Sequence, residues 1–252
     1  MLREGLDEDA DRIVLSRGDT CLRAGDVALL SDSRWLNDQL ISFFFATLTE
    51  HFSDPSVLLV DGSVRAPVEC VRAAAPLTAC AAQVSFFLAN CENEDAAVVT
   101  GPLLCGQRSL ILLAVNDNPS VTTAGGGSHW TLLAYRRDAG FTHYDSLPGS
   151  GNARAAAQVA KTLAFALRLP AERARVQTAP APKQANGFDC GPHVLLTAQL
   201  LCEVHARSPE RAPSREELAA HVTPAAATQL RRDMRALIDR LAAEEADKPW
   251  DD

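Results

Sequence analysis

The spacing of apolar residues along the chain predicts a mixture of helices and short strands. Apolar residues recur every three or four positions in an amphipathic helix, whereas a strand is a short apolar or β-branched run between turn formers. On this basis, helices are predicted at 35–51, 83–91, 152–169, 190–206, 214–221 and 224–246. Strands are predicted at 57–60, 109–115, 129–135, 141–144 and 176–178, with a small hairpin around 17–19. Helices that flank a central sheet of short strands form an α+β domain.

Two of the predicted helices are preceded by side chains that can cap a helix. Residues 31–33, Ser-Asp-Ser, come before the helix at 35–51, and Asp189 comes before the helix that begins near Cys190. Such side chains accept hydrogen bonds from the unpaired N–H groups of the first turn. We therefore predict caps at 31–33 and at Asp189.

The length of the chain and its turn-rich segments predict one domain with short tails. At roughly 150 residues per domain, 252 residues make one large domain or two small ones. Residues 53–82 are rich in proline and alanine, and we interpret them as a possible insertion or an expanded loop. The predicted organisation is a disordered tail at 1–10, a single domain at 11–246 and a second tail at 247–252.

Composition and charge narrow the class of protein. Apolar residues make up 47% of the chain and charged residues 22%, which is typical of a globular protein. The net charge of −8 argues against a nucleic-acid partner, because phosphate binding needs clustered lysine and arginine. No apolar run approaches the roughly 20 residues of a membrane span, and the charged N-terminal segment is not a secretory signal. We therefore expect an intracellular protein of the cytoplasm, the nucleus or both.

The cysteines indicate neither a disulfide framework nor a zinc site. Their number, seven, is odd, and no two of them are spaced as Cys-x-x-Cys. Most lie in apolar stretches and are interpreted as small buried hydrophobic residues of a protein in a reducing compartment.

Cys190 differs from the other cysteines in its surroundings. It follows the turn signal Asn-Gly at 186–187 and opens a long apolar run, which places its sulfur at a predicted helix N-terminus. The helix dipole favours a thiolate at that position. Pro192 suits the first turn, where its missing N–H costs nothing, and Gly191 would leave room beside the thiol for a substrate backbone. A buried structural cysteine is the alternative interpretation.

His129 and Asp145 are predicted at the same open end of a hairpin. His129 begins one strand after a glycine-rich loop, and Asp145 ends the next strand. If these strands pair about 137–139, the carboxylate can orient the imidazole of a general base. The alternatives are a surface histidine and an ordinary turn aspartate, and His143 is a rival base.

Two further polar residues lie close to Cys190 in the sequence. The side-chain amide of Gln184 could donate a hydrogen bond to an oxyanion, together with the Cys190 backbone N–H. A solvated loop residue is the alternative for Gln184. His193 could touch the thiolate, although a surface position is expected for it.

Four blocks of this sequence resemble the ubiquitin-like-protein-specific cysteine proteases, the family of SUMO (sentrin) proteases and deneddylases. In chain order, the blocks are Trp35-Leu36-Asn37-Asp38, His129-Trp130, Asp145 and Gln184-Ala185-Asn186-Gly187-Phe188-Asp189-Cys190-Gly191. Four blocks in the right order are far more specific than any single motif. The chain is most similar to the deneddylase branch, over about residues 13–240, including 114–118, the Gly-Gly-x-His-Trp loop and 143–146.

The resemblance implies a papain-like cysteine protease fold with the nucleophile at a helix N-terminus. The implied catalytic residues are the nucleophile Cys190, the base His129, the orienting acid Asp145 and the oxyanion donor Gln184. The implied substrate-binding residues are Trp35, Asp38, Trp130, Gly126, Gly127 and Gly191.

The activity implied by the resemblance is cleavage after the C-terminal Gly-Gly of a ubiquitin-like modifier. Trp35 and Trp130 would wall a tunnel that admits only glycine, and the loop at 120–128 would close on the substrate. The implied modifier is of the NEDD/Rub type, free or conjugated to proteins such as cullins, and the reaction would need no metal or cofactor.

A monomer is expected, because no heptad pattern is present.

Three alternatives to this activity stay open at the level of sequence. The same chemistry could act on SUMO or ubiquitin, because the choice of modifier depends on surface contacts. The chain could also be an acyltransferase of the same clan, or a module that binds a modifier without cutting it.

Overall fold

The computed structural model describes residues 9–17, 20–60, 108–117 and 127–247. Several predictions therefore lie outside the described residues: the helix at 83–91, positions 61–82 of the possible insertion, and positions 120–126 of the loop that would close on the substrate, which include Gly126. The same holds for residues 1–8 and 248–252 of the predicted tails. The division into one domain and two tails stays a prediction.

A mixed sheet lies at the centre of the described structure. Its strands are β3 (Val57–Val60), β4 (Leu110–Asn116), β5 (Trp130–Arg136), β6 (Gly140–Tyr144) and β7 (Val176–Thr178), and they are ordered as numbered. The middle three form an antiparallel meander, whereas β3 and β7 each pair in parallel with their neighbour. A separate hairpin is formed by β1 (Ile13–Arg17) and β2 (Thr20–Arg23). The predicted strands and hairpin are confirmed to within a residue or two at their ends.

Helices cover both faces of this sheet. They are α1 (Ala24–Ala28), α2 (Asp38–Phe52), α3 (Asn152–Ala166), α4 (Cys190–Arg207), α5 (Arg215–His221) and α6 (Pro224–Ala246). All except α1 were predicted, and α1 is too short to show a helical period. No helix among the described residues is both long and apolar enough to span a bilayer.

The side chains of β4 alternate between two hydrophobic cores. Leu110 and Leu112 pack in the larger core with α2, α4 and α6, whereas Ile111 and Leu113 pack against α3. Because both faces of β4 are covered, the strand is apolar at nearly every position instead of alternating with polar residues. The sheet therefore forms a rigid base for the loops at the ends of β4, β5 and β6.

The prediction for the start of α2 is wrong, because the helix begins at Asp38 instead of residue 35. Asn37 caps it by accepting a hydrogen bond from the Leu40 N–H at 3.2 Å, and its amide donates to the Asp26 carboxylate at 2.6 Å. The contact with Asp26 joins α2 to α1. This contact between two helices cannot be predicted from the capping side chains at 31–33. Trp35 consequently precedes the helix and is not part of it.

Candidate active site

Cys190 is the first residue of α4, at the predicted helix N-terminus. It is 1% exposed and lies where the helix dipole and the unpaired N–H groups favour a negative charge. Gly191 is packed against Leu36, since a Cβ on this glycine would lie 3.0 Å from the Leu36 Cβ. Leu36 therefore occupies the space into which a side chain at position 191 would project, and a contact of Gly191 with a substrate stays a prediction.

His129 is the centre of a hydrogen-bonded line of three side chains. Its Nε2 lies 2.7 Å from Oδ1 of Asp145, and its ring also hydrogen-bonds the Cys190 thiol. Burial acts to lower the pKa of His129, but the hydrogen bonds and charges of its two neighbours outweigh burial and raise the pKa. The surroundings thus favour a protonated imidazole beside the sulfur.

Asp145 follows β6, and other groups besides His129 hold its carboxylate. Oδ1 accepts a hydrogen bond from the Leu147 N–H at 2.8 Å, and Oδ2 accepts one from the Ser150 hydroxyl at 2.9 Å. A carboxylate fixed in this way can fix the imidazole ring in turn. The predicted meeting of His129 and Asp145 at one end of the hairpin is confirmed.

Gln184 is tied to the strand end that carries Asp145. Its Oε1 accepts a hydrogen bond from the Ser146 hydroxyl at 2.8 Å, and its Nε2 donates to the Asn186 carbonyl at 2.6 Å. The Gln184 backbone N–H also donates to the Ser146 carbonyl. A side-chain amide has two N–H donors, so the bond to Asn186 leaves a second one for a ligand.

The two tryptophans of the predicted tunnel occupy different environments. Trp35 is 50% exposed, and its indole N–H donates to the Gly187 carbonyl at 2.7 Å. Trp130 is buried, and its indole N–H donates to the Leu36 carbonyl at 3.0 Å. The Trp35 indole is thus bonded to the turn before Cys190, and the Trp130 indole is bonded to the residue that follows Trp35.

Asp38, Gly127 and His193 were also singled out by the sequence. Asp38 is the first residue of α2, where a negative charge is favoured by the helix dipole. Gly127 has a φ of +86°, a conformation that glycine adopts without strain. Contacts of Asp38 and Gly127 with a substrate stay predictions. The surface position expected for His193 is wrong, because this residue is buried in α4.

The turn before Cys190 is held by side-chain contacts that the sequence did not predict. Asn186 accepts hydrogen bonds from the N–H groups of Phe188 and Asp189, at 3.0 and 2.9 Å. Asp189 does not cap α4 as predicted, since its carboxylate binds Asn186 and the buried Arg231 instead. The Asn-Gly pair at 186–187 predicted this turn, and asparagine commonly bonds its own backbone in turns. No local signal distinguishes Arg231 from its charged neighbours in α6.

A thiol, an imidazole and a carboxylate, hydrogen-bonded in that order at a helix N-terminus, are the parts of a cysteine peptidase site. Residues 111–241 match the family described as the Ulp1 protease family, C-terminal catalytic domain. The chain belongs to this family of cysteine peptidases.

The similarity to known proteins extends over nearly the whole chain. Human sentrin-specific protease 8 is 33% identical over 236 residues, which cover 92% of this chain and 99% of that protein. The NEDD8-specific protease 1 of Arabidopsis thaliana is 30% identical over 250 residues, which cover 97% and 100%. The crystal structure of the C-terminal Ulp1 protease domain in complex with Smt3, the yeast ortholog of SUMO, aligns with a TM-score of 0.62. That alignment has 19% identity and covers 92% of this chain and 88% of the other. The predicted fold class is thereby confirmed.

Proposed function

We propose that this enzyme cleaves the bond after the C-terminal Gly-Gly of a ubiquitin-like modifier, using Cys190 as its nucleophile. The observation that carries the proposal is the position of His129 between the Asp145 carboxylate and the Cys190 thiol. The nucleophile, the base and the orienting acid of an acyl-transfer enzyme are placed in this way. The bond broken is an isopeptide bond in a conjugate or a peptide bond in a precursor.

The reaction proceeds through a thioester. His129 takes the proton of Cys190, and the thiolate attacks the carbonyl carbon of the terminal glycine. The imidazolium then protonates the departing amine as the C–N bond breaks, which leaves the modifier attached to the sulfur. Water, deprotonated by His129, hydrolyses the thioester and restores the thiol. Asp145 keeps the ring oriented during both steps and stabilises its positive charge.

The turn before Cys190 supplies the proposed oxyanion site. The free N–H of the Gln184 amide and the backbone N–H of Cys190 would donate to the oxygen that becomes negative as the thiolate attacks. The hydrogen bonds from Ser146 and to Asn186 hold the Gln184 amide in place before the substrate binds. A donor that is already oriented stabilises the transition state without a reorganisation cost.

The relatives support a modifier of the NEDD/Rub type. The plant relative is named a NEDD8-specific protease, and its similarity covers almost the full length of both chains. Neddylated proteins such as cullins would then be the conjugates that the enzyme acts on. Cleavage by a monomer in the cytoplasm or the nucleus remains a prediction, as does a tunnel between Trp35 and Trp130 that selects glycine.

The test uses modifiers that carry a C-terminal vinyl sulfone or a fluorogenic amide. The panel contains the NEDD/Rub modifier, SUMO and ubiquitin, each incubated with the wild-type enzyme, Cys190→Ala and Cys202→Ala. Cys202 is the matched control, because it is a buried cysteine of the same helix and its burial raises the pKa of the thiol to about 12. We expect labelling and turnover with the NEDD/Rub probe in the wild type and in Cys202→Ala, and neither in Cys190→Ala.

The other outcomes separate the alternatives. Preference for SUMO or ubiquitin, lost in Cys190→Ala, would keep the chemistry and change the modifier. Binding of a modifier without labelling or turnover would indicate a binding module, and neither binding nor labelling with any modifier would favour an acyltransferase of the same clan. Labelling that persists in Cys190→Ala would refute the assignment of the nucleophile.

A further inference from the structure

The backbone of His129 is held by side chains on both sides of the residue. Its N–H donates to Oδ1 of Asp117 at 2.9 Å, and its carbonyl accepts a hydrogen bond from Nδ2 of Asn152 at 3.0 Å. The last pair of the β4–β5 ladder is Asn116 with Trp130, so His129 lies just beyond the regular sheet. Beyond the ladder, the backbone N–H of Asp117 still donates to the His129 carbonyl at 3.4 Å, and the side chains of Asp117 and Asn152 bind the same backbone at shorter distances.

Asp117 forms a compact turn with the end of the glycine-rich loop. Besides the His129 N–H, its carboxylate accepts hydrogen bonds from the backbone N–H and the hydroxyl of Ser128, at 2.5 and 2.6 Å. Burial acts to raise the pKa of Asp117, but these hydrogen bonds outweigh it and lower the pKa. The carboxylate is therefore ionised at neutral pH and holds two successive backbone N–H groups.

Gly127 allows this turn to form. A Cβ on Gly127 would lie 2.0 Å from Oδ1 of Asn116, and the φ of +86° disfavours any other residue. The sequences Asn-Asp at 116–117 and Gly-Ser-His at 127–129 are thus two halves of one structure. They meet because β4 and β5 pair in register up to Asn116 and Trp130.

Asn152 holds His129 from the opposite side. It is the first residue of α3 and is 0% exposed. Its amide also donates to the Val115 carbonyl at 3.1 Å, which joins the ends of β4 and β5 to the helix on the far face of the sheet. A buried amide with several hydrogen bonds has one orientation, so it fixes the position of the His129 carbonyl.

We propose that Asp117 and Asn152 are positioning residues for the catalytic base, and that they keep the His129 ring aligned between Asp145 and Cys190. The proposal rests on the catalytic roles proposed above. Asp145 fixes only the far side of the ring, whereas the distance from the ring to the sulfur depends on where the His129 backbone lies. A displacement of about 1 Å in a reacting group can lower a rate about 100-fold.

The test compares Asp117→Ala, Asp117→Asn and Asn152→Ala with the wild type. In Asp117→Ala we expect kcat to fall about 100-fold with little change in KM, because alignment is lost and binding is not. Asp117→Asn should restore kcat to within about fivefold of the wild type, since an amide oxygen can still accept both N–H groups. Asn152→Ala should lower kcat by at least about tenfold.

Asp138→Ala is the matched control. Asp138 follows the opposite end of β5, where its carboxylate pairs with Arg136 instead of a backbone N–H of the catalytic histidine. This variant should keep the kcat of the wild type. The unfolding midpoint of every variant is measured, so that a loss of folding is not taken for a loss of alignment.

Alkylation of Cys190 by iodoacetamide supplies a readout that does not depend on the modifier. In the wild type, Cys190 should be alkylated faster than a free thiol, because the aligned His129 accepts the proton of the thiol. In Asp117→Ala this enhancement should be lost, because the ring is no longer aligned with the sulfur. A purely structural role for Asp117 would lower stability without changing the alkylation rate of the folded protein.

The outcomes distinguish the positioning roles of Asp117 and Asn152 from the proposed function on which those roles rest. A folded Asp117→Ala with the kcat and alkylation rate of the wild type would overturn the positioning role of Asp117, and the proposed function would stand. If Asp117→Ala does not fold, the other two variants decide. A wild-type kcat in Asn152→Ala would overturn the proposal. So would a fall of kcat in Asp117→Asn as large as the fall in Asn152→Ala. A wild-type enzyme that neither cleaves any modifier nor shows enhanced alkylation would instead refute the proposed function itself.

Discussion

At the scale of single residues, the amide of Gln184 shows how the site is prepared before a substrate arrives. Ser146 donates to its oxygen, and Asn186 accepts from its nitrogen, so both ends of the amide are fixed. Ser146 is the neighbour of Asp145, which means that one strand end orients both the acid and the proposed oxyanion donor. The geometry around the amide is therefore coupled to the geometry around the base.

Replacement of Gln184 by alanine tests the oxyanion role. We expect kcat to fall about 100- to 1000-fold, the typical loss of one oxyanion donor, with KM nearly unchanged. Ser146→Ala should cost less, because it removes only the group that orients the amide. Gln199→Ala is the control, since this amide pairs with Glu203 within α4. Steady-state kinetics with the fluorogenic modifier measure all three, and an equal kcat in Gln184→Ala and Gln199→Ala would contradict the assignment.

The three catalytic residues could be predicted from the sequence, whereas the residues that hold His129 in place could not. Cys190, His129 and Asp145 stand in distinctive local patterns, and the structure places them in hydrogen-bonding contact. Asp117 and Asn152 are ordinary turn and helix-start residues in sequence. Their contacts with His129 depend on the pairing of two strands and the packing of a helix, which no local pattern contains.

At the scale of elements, α6 supports the nucleophile through one buried arginine. Arg231 is 3% exposed and binds the Asp189 carboxylate at 2.9 Å. Its guanidinium also donates to the carbonyls of Leu29, Arg34 and Phe188. One side chain thus connects the residue before Cys190, the residue before Trp35 and the segment after α1.

Removing Arg231 should destabilise the protein strongly. Loss of one partner of a buried ion pair costs about 3–5 kcal/mol, because the other charge stays buried without compensation. We therefore expect Arg231→Met to lower the free energy of unfolding by that amount, as measured by urea denaturation. Arg240→Ala is the control on the same helix, where an exposed ion pair with Glu244 is worth about 0–1 kcal/mol. Equal losses in the two variants would refute a structural role for the buried pair.

The elements themselves were largely predictable, and the exceptions have physical causes. Strands with two buried faces, such as β4, are continuous apolar runs and are easily recognised. The start of α2 was misplaced because residues 31–33 carry the same capping chemistry as Asn37. The hydrogen bond between Asn37 and Asp26 favours the later start, and it exists only once α1 and α2 have packed together.

At the scale of the whole molecule, two buried histidines make its stability depend on pH. His143 lies in β6 and His193 in α4, and burial lowers the pKa of both. The unfolded chain therefore binds protons more readily at these positions than the folded one does. Their contribution to stability is complete above the unfolded pKa of about 6.5 and is lost as the pH falls below it. His129 acts in the opposite direction, because its pKa is raised in the folded state.

Comparing the wild type with His193→Leu isolates the contribution of one buried histidine. Leucine fills a similar volume and does not titrate. The charged neighbour of His193 is Asp189. Replacing His143 would instead disturb the catalytic pair Asp145 and His129. The free energy of unfolding is measured at intervals from pH 8 to pH 5.5, above the range in which most carboxylates titrate. The difference at pH 8 gives the packing effect of the substitution. As the pH falls below about 6.5, the wild type should lose stability relative to His193→Leu, by at most about 1.4 kcal/mol per pH unit. Parallel curves over this range would contradict the prediction, because they would mean that His193 takes up its proton equally well in the folded and unfolded states.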